Sequence, residues 1–233
     1  MGAMSDWRSF WDSAHSIYVN ARHKDVHYRE IADQIAAFVP GPAARVLDYG
    51  CGEAIHADRV AAVAAQVLLC DSAPSVRAAI AARFAADPRI RALAPQEVEK
   101  LTDGSVDLIV SNSMTQYLAP AELDRVLGLW RRLLAPAGTL IVADVIPPDA
   151  GTLTDVAALL RYAAANGFFV AALWGLARTA ASPYSRLRSR LGVTRYRQAD
   201  FMQKLKSAGF AAERLARNLE HNAARMTFRA RPV

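Results

Sequence analysis

Between residues 45 and 146, short apolar runs alternate with amphipathic stretches, and no other feature limits the possible folds as strongly. "RVLDY", "VLLCD", "RIRALAP", "SVDLIVSN" and "TLIVADV" read as strands β1 to β5 in order. They are the continuous apolar runs of strands buried on both faces. "GEAIHADRVAAVAA", "APSVRAAIAARFAA" and "PAELDRVLGLWRRLLAP" read as the helices between them, the last opened by Pro120 and closed by Pro136-Ala137-Gly138. Strand and helix in alternation make a doubly wound α/β sheet with parallel strands. Two further strands are expected in "AAERLA" and "RMTFRAR", joined by "RNLEHNA", short enough for a hairpin; the helix "QADFMQKLKSAGF" precedes them and stops at Gly209.

The flanking segments follow a different pattern. In residues 5–39, Trp7, Phe10, Trp11 and Ala14 recur at helical spacing, as do His27, Ile31, Gln34, Ile35 and Phe38, until Pro40-Gly41-Pro42 ends the pattern. An N-terminal helical cap over 1–39 and a main domain over 40–233 are therefore expected. Residues 152–192 break the alternation and read as a helical lid inserted after β5. The longest nearly apolar window, Ala163 to Ala177, falls short of the roughly 20 residues that a membrane span needs.

With 53% hydrophobic residues in 233, the chain can build one large core, and a disordered protein is excluded. Cys51 and Cys70 form no CxxC pair, so no zinc or redox motif is expected and a reduced, cytoplasmic setting fits. No charged leader precedes an apolar run, so no secretory signal is expected. The net charge of +6 is uneven. From Val156 to Ala199 there is no Asp or Glu, while Arg161, Arg178, Arg186, Arg188, Arg190, Arg195 and Arg197 all fall there. Charge this local implies a local partner.

In a doubly wound sheet, ligands bind beyond the carboxyl ends of the strands, so the loop after β1 is where a cofactor is expected. It reads Gly50-Cys51-Gly52-Glu53-Ala54-Ile55. A dinucleotide fingerprint needs a third glycine where Ile55 stands, and Asp48 and Glu53 put two carboxylates near the path of a pyrophosphate. The loop suits a ligand with a nucleoside and a cation but no diphosphate. Asp71 ends β2, 23 residues after Asp48, where a carboxylate can accept hydrogen bonds from both ribose hydroxyls.

These stretches together resemble the class I S-adenosylmethionine-dependent methyltransferases. "VLDYGCGEA" is similar to their motif I, "LLCD" to their acidic β2 motif, "DGSVDLIVSNSMTQYL" to their β4 segment and "LWRRLLAPAGTLIVADV" to the helix and β5 that follow. The closing pair is similar to "AGFAAERLA" and "RMTFRAR". One departure is Ala54, where the third glycine usually stands. The resemblance implies a Rossmann-like sheet of seven strands with an antiparallel last strand, and S-adenosylmethionine as cofactor. It places the methionine moiety near Asp48, Gly50, Cys51 and Gly52, the ribose at Asp71, and the adenine between Ser72-Ala73 and the turn Gln96-Glu97-Val98. Ser111 should face the methyl-bearing end.

Methyl transfer from a sulfonium is an in-line displacement, so positioning provides much of the acceleration, and a base is needed only when the acceptor must lose a proton. Tyr18, His23 and Tyr117 are the candidates for acceptor positioning or base. His27, His56, Asn112, Gln116, Asp144 and the pair His221-Asn222 are weaker ones. No pair among His15, His23 and His27 has a partner carboxylate at zinc-site spacing, and no metal is expected. The acceptor is expected to be small, hydrophobic or amphipathic, and, if the lid arginines bind it, anionic. The same arginine-rich stretch, 152–197, could instead dock an anionic membrane or be a solvated cover. Nucleic acid fits poorly: Ser111-Asn112-Ser113-Met114 lacks the Asn/Asp-Pro-Pro-aromatic motif of the enzymes that methylate amino groups of its bases. Two other classes stay open: a non-catalytic cofactor-binding module whose lid binds a partner and, less favoured, a nicotinamide oxidoreductase.

Overall fold

A computed structural model describes Asp12, residues 18–179 and residues 192–233. The expected elements at Trp7, Phe10, Trp11 and Ala14, and Arg186, Arg188 and Arg190 of the lid, lie outside these residues.

Seven strands form one sheet: β1 (Arg45–Tyr49), β2 (Gln66–Cys70), β3 (Ile90–Leu93), β4 (Val106–Asn112), β5 (Leu134–Val145), β6 (Phe210–Arg214) and β7 (Met226–Pro232), in the order β3-β2-β1-β4-β5-β7-β6. β1 to β5 are mutually parallel, and β7 runs antiparallel to both β5 and β6. The fold is the expected Rossmann-like one.

Successive residues of each central strand serve opposite faces. Leu47 and Tyr49 join one core with Leu123, Leu127 and Trp130 of α5 (Pro120–Leu133) and Phe201 and Leu205 of α8 (Gln198–Ser207). Val46, Leu108 and Val110 join the other with α1 (Ala21–Phe38), α2 (Ala57–Ala61) and α3 (Pro74–Arg83). A short helix α4 (Pro95–Val98) follows β3, and α6 (Thr152–Asn166) and α7 (Phe169–Thr179) follow β5. Gly167, at φ 74°, ends α6 in the left-handed conformation and separates it from α7. A third apolar cluster, with Val26, Tyr162, Ala163, Phe168 and Ala172, packs α1 against α6 and α7.

Local chemistry moves several boundaries. The helix expected from Gly52 starts only at Ala57, because Gly52 and Ala54 are left-handed, at φ 56° and 40°. Helix α5 stops at Leu133, three residues before Pro136, which has no N–H to continue it, and β5 starts at Leu134 rather than Thr139. The turn after β3 is helix α4, with the Glu97 carboxylate accepting the Ala94 N–H at 2.7 Å.

Trp130 is fully buried edge-on to Tyr49, with ring centroids 5.5 Å apart, and its Nε1 has no hydrogen-bond partner among the described residues. Trp130→Ala should therefore lower the unfolding free energy by about 3–5 kcal/mol. Trp130→Phe, which also removes the unsatisfied donor, should cost clearly less; urea denaturation of both variants measures the difference.

Candidate active site

The sheet order reverses direction between β1 and β4, and a cavity of about 1010 Å³ opens there at the carboxyl ends of the strands. At its β1 end, Gly50 and Gly52 carry the chain at φ 81° and 56°. A Cβ on Gly50 would lie 2.7 Å from Met114 Cγ, and one on Gly52 would lie 2.8 Å from the Tyr28 hydroxyl, so both positions need glycine for space as well as for conformation. Ala54 carries its left-handed φ at a cost of about 1–2 kcal/mol, as an L-residue must.

Asp71 organises this loop. One carboxylate oxygen accepts the Ala73 N–H at 2.8 Å and the other the Gly52 N–H at 3.1 Å, while Arg77 donates to the Asp71 carbonyl oxygen at 2.8 Å. Tyr28 of α1 lies over the loop, and its hydroxyl accepts the Glu53 N–H at 3.0 Å. Asp48 sits between the loop and Asp71. Burial pushes its carboxyl up to about 7, and the neighbouring Asp71 charge adds to the shift.

The opposite end, beyond β4 and β5, is polar. Asp144, the next-to-last residue of β5, stands at φ 61° and is buried. Arg225 donates to Asp144 at 2.5 Å and to both carboxylate oxygens of Asp155 at 3.2 Å, bridging β5 and α6. The segment between β6 and β7 is tied to this bridge: Asn218 accepts the Asp144 N–H at 3.1 Å, and Asn222 donates to Asp155 at 2.7 Å. Glu220, in the same segment, accepts from Asn112 at 2.9 Å and lies 3.1 Å from the Ser113 hydroxyl. Its other oxygen faces His27 Nδ1 at 3.4 Å and His221 Nδ1 at 3.6 Å. Burial opposes ionisation of Glu220, but His27, His221 and Asn112 outweigh it and hold the carboxyl well below the usual range.

The structure brings Tyr18, His23, Tyr117, Asp48, Gly50, Cys51, Gly52, Asp71, Ser72 and Gln96 to the wall of this one cavity. Glu97 and Ser111 are not on the wall: Glu97 caps α4, and Ser111 is fully buried, its hydroxyl without a partner among the described residues. His23 stacks on Phe168 at 4.8 Å, and its Nδ1 accepts the Val19 N–H at 3.3 Å. Burial first, then His27, lowers its pKa to about 4, which makes it a weak base. Tyr18 is half-buried among the rings of His23, His27 and Tyr28, and desolvation of its hydroxyl raises it well above the ordinary phenol range. His56 is hydrogen-bonded to Asp25 at 2.8 Å, linking the entry of α2 to α1. Sequence reasoning passed over Tyr28, Asp155, Glu220 and Arg225, which reach the wall from three separate parts of the chain.

Residues 46–138 match the family model of a methyltransferase domain. No curated protein matches the sequence. Magnesium protoporphyrin IX methyltransferase from Synechocystis PCC 6803, solved with bound SAH, is 17% identical and has a TM-score of 0.63, covering 98% of this chain and 99% of that one. Geranyl diphosphate C-methyltransferase from Streptomyces coelicolor A3(2), solved with Mg2+, geranyl-S-thiolodiphosphate and S-adenosyl-L-homocysteine, is 11% identical and has a TM-score of 0.64, covering 100% and 99%. The YcgJ protein of Bacillus subtilis is 15% identical and has a TM-score of 0.57, covering 81% and 71%. The chain thus carries a methyltransferase-domain match over residues 46–138 on the fold of solved methyltransferases whose structures hold S-adenosylmethionine or its demethylated product. The left-handed glycines, the Asp71 carboxylate and the phosphate-averse Asp48 fit that cofactor's nucleoside and cation.

The Asp48 shift has a definite sign. A carboxyl whose folded pKa is raised from about 4 to about 7 binds its proton more tightly in the fold, so its contribution is full below about pH 4 and is lost as pH rises through 7. Asp48→Asn should therefore raise the melting temperature more at pH 8 than at pH 5, as differential scanning calorimetry at the two pH values would show.

Proposed function

We propose that the enzyme transfers the methyl group to a small, amphipathic acceptor enclosed in the cavity between Asp71 and the Asp144–Arg225–Glu220 wall. The supporting observation is the extent of the cavity. Its 1010 Å³ is at the upper end of ligand pockets, and it runs without a break from the cofactor loop to a second wall of different chemistry. When bound, the cofactor supplies an electrophilic methyl on a sulfonium. Asp48 favours the cationic end, Asp71 the ribose, and Gln96 lies where the adenine edge is expected. On the acceptor side Tyr18 and Tyr117 supply polar tips on apolar rings, suited to positioning a partly apolar molecule. With its low pKa, His23 fits a positioning role better than that of a base.

The domain division proposed is a cap over 1–39, a main domain over 40–233, and a lid over 152–192. A second observation bears on how the acceptor arrives. Val170 and Trp174 of α7 are 68% and 76% exposed, Leu173 is half-exposed, and Leu153 of α6 is 85% exposed. No acidic residue follows Asp155 until Asp200. Apolar surface within a stretch that carries only basic charge suits contact with an anionic membrane, from which an amphipathic acceptor could enter. Among the described residues no helix is long and apolar enough to cross a membrane.

The intact protein should bind S-adenosylmethionine in isothermal titration, and Asp71→Ala should weaken binding by about 3 kcal/mol, roughly 100-fold, through loss of charged hydrogen bonds. Cofactor binding without S-adenosylhomocysteine formation from any small-molecule extract would favour a non-catalytic module instead. For the lid, co-sedimentation with phosphatidylglycerol vesicles should fall sharply in Val170→Ser/Trp174→Ser; equal sedimentation of the two proteins removes the membrane reading.

A further inference from the structure

We propose that His27, Glu220 and His221 form a binding site for one divalent first-row transition metal ion at the acceptor end of the cavity. The three ligand atoms lie within 4.8 Å of one another. Both imidazole Nδ1 atoms approach the same carboxylate oxygen of Glu220, at 3.4 and 3.6 Å. Those separations are long for charge-assisted hydrogen bonds, which cluster near about 2.8 Å. They are close to the spacing of atoms that share a tetrahedral ion: bonds of about 2.0–2.1 Å put neighbouring ligands about 3.4 Å apart.

The surroundings are those of a built site. The second oxygen of Glu220 is engaged by Asn112 at 2.9 Å, with the Ser113 hydroxyl 3.1 Å away, which turns the first oxygen toward the histidines. Outer contacts of this kind orient the carboxylate ligands of metal centres. The His221 ring is stacked on Tyr162, with centroids 4.6 Å apart and planes 16° from parallel. The segment carrying Glu220 and His221 is anchored at both ends, by Asn218 on Thr227 at 2.7 Å and by Asn222 on Asp155 at 2.7 Å. The ligand atoms are therefore held before any ion arrives.

Two imidazoles and one carboxylate select zinc, iron, cobalt or nickel over magnesium or calcium, which prefer all-oxygen sets. Three protein ligands also leave at least one coordination position open, and all three residues line the cavity. An ion here would bind an acceptor through a hydroxyl, carboxylate or similar oxygen. That last step rests on the methyl-transfer reading; metal binding itself does not.

The test uses the full-length protein stripped with chelator and titrated with Zn2+ alone, and separately loaded with Co2+. The expected results are one equivalent of tightly bound Zn2+, a raised melting temperature, and cobalt d–d absorption of a nitrogen- and oxygen-ligated ion without a thiolate charge-transfer band. His221→Ala and Glu220→Gln should each weaken Zn2+ binding at least about 10-fold, while His56→Ala leaves it unchanged. Circular dichroism checks that each variant is folded. No saturable binding by the intact protein, or binding that survives both ligand variants, overturns the proposal. Titrating S-adenosylmethionine into the same samples separates the two readings. Cofactor binding without metal binding defeats only the metal site; metal binding without cofactor binding defeats only the methyl-transfer reading.

Discussion

Parallel strands that wind outward in both directions from a central pair leave the carboxyl ends of that pair without a covering crossover. Here the pair is β1 and β4, joined at Val46–Leu108, Leu47–Ile109 and Asp48–Val110. The crevice is a consequence of topology, and the residues around it adapt to it. β1 is buried on both faces and must release its chain abruptly, so the loop turns at Gly50 and Gly52. β4 ends at Asn112, opposite Ala143 of β5, and Ser113 and Asp144 turn just beyond that pair at φ 54° and 61°. Non-glycine residues in that conformation are uncommon, and their strain is held by local bonds, including Ser113 to Asp144 at 2.7 Å.

The electrostatics of the crevice follow from the same burial. Asp48, Asp71, Asp144, Asp155 and Glu220 all reach its wall, and only some are paired. Asp144 and Asp155 share Arg225, and Glu220 faces two histidines. Among the described residues no such cation faces Asp48, and desolvation raises its carboxyl. An acidic wall at the cofactor loop disfavours a diphosphate and favours a cation. The described arginines of the basic stretch are elsewhere. Arg195 donates to the carbonyl oxygens of Pro148 and Ala150, and Arg161 and Arg197 are exposed. Arg161, Arg195 and Arg197 are therefore not part of the cavity wall.

Much of the fold was legible because burial on two faces leaves continuous apolar runs, and "RVLDY" and "SVDLIVSN" announce themselves in one dimension. Boundaries were less so. Ala54 is a good helix former in sequence, yet its left-handed φ keeps the start of α2 at Ala57. That Asp48, Gly50, Gly52 and Asp71 share one cavity wall was legible for a related reason: they lie in or next to strands already recognised. The acceptor side was not. His27 and Glu220 lie 193 positions apart by number, and nothing in "HSIYVNARHKDVHY" or "RNLEHNA" announces the other. Glu97 shows the opposite failure, a plausible ligand by position whose carboxylate is engaged by its own helix cap.

The acceptor end also depends on the order in which the sheet can be completed. Glu220, His221 and Arg225 lie between β6 and β7, and β7 must insert antiparallel beside β5 before Arg225 can meet Asp144. Asp155 then ties α6 to the same point, and α6 packs against α1 through Tyr162 and Val26. Assembly of β7 thus brings His27 of α1 to Glu220 through a chain of packed elements. The cofactor loop needs only β1, β2 and the Gly52–Asp71 bond, all local to residues 45–71. A cavity built this way has one half set by nearby sequence and another that exists only when the last strand is in place. Changes in the β6–β7 segment can therefore reshape the far wall while the loop at Gly50 and Gly52 stays intact.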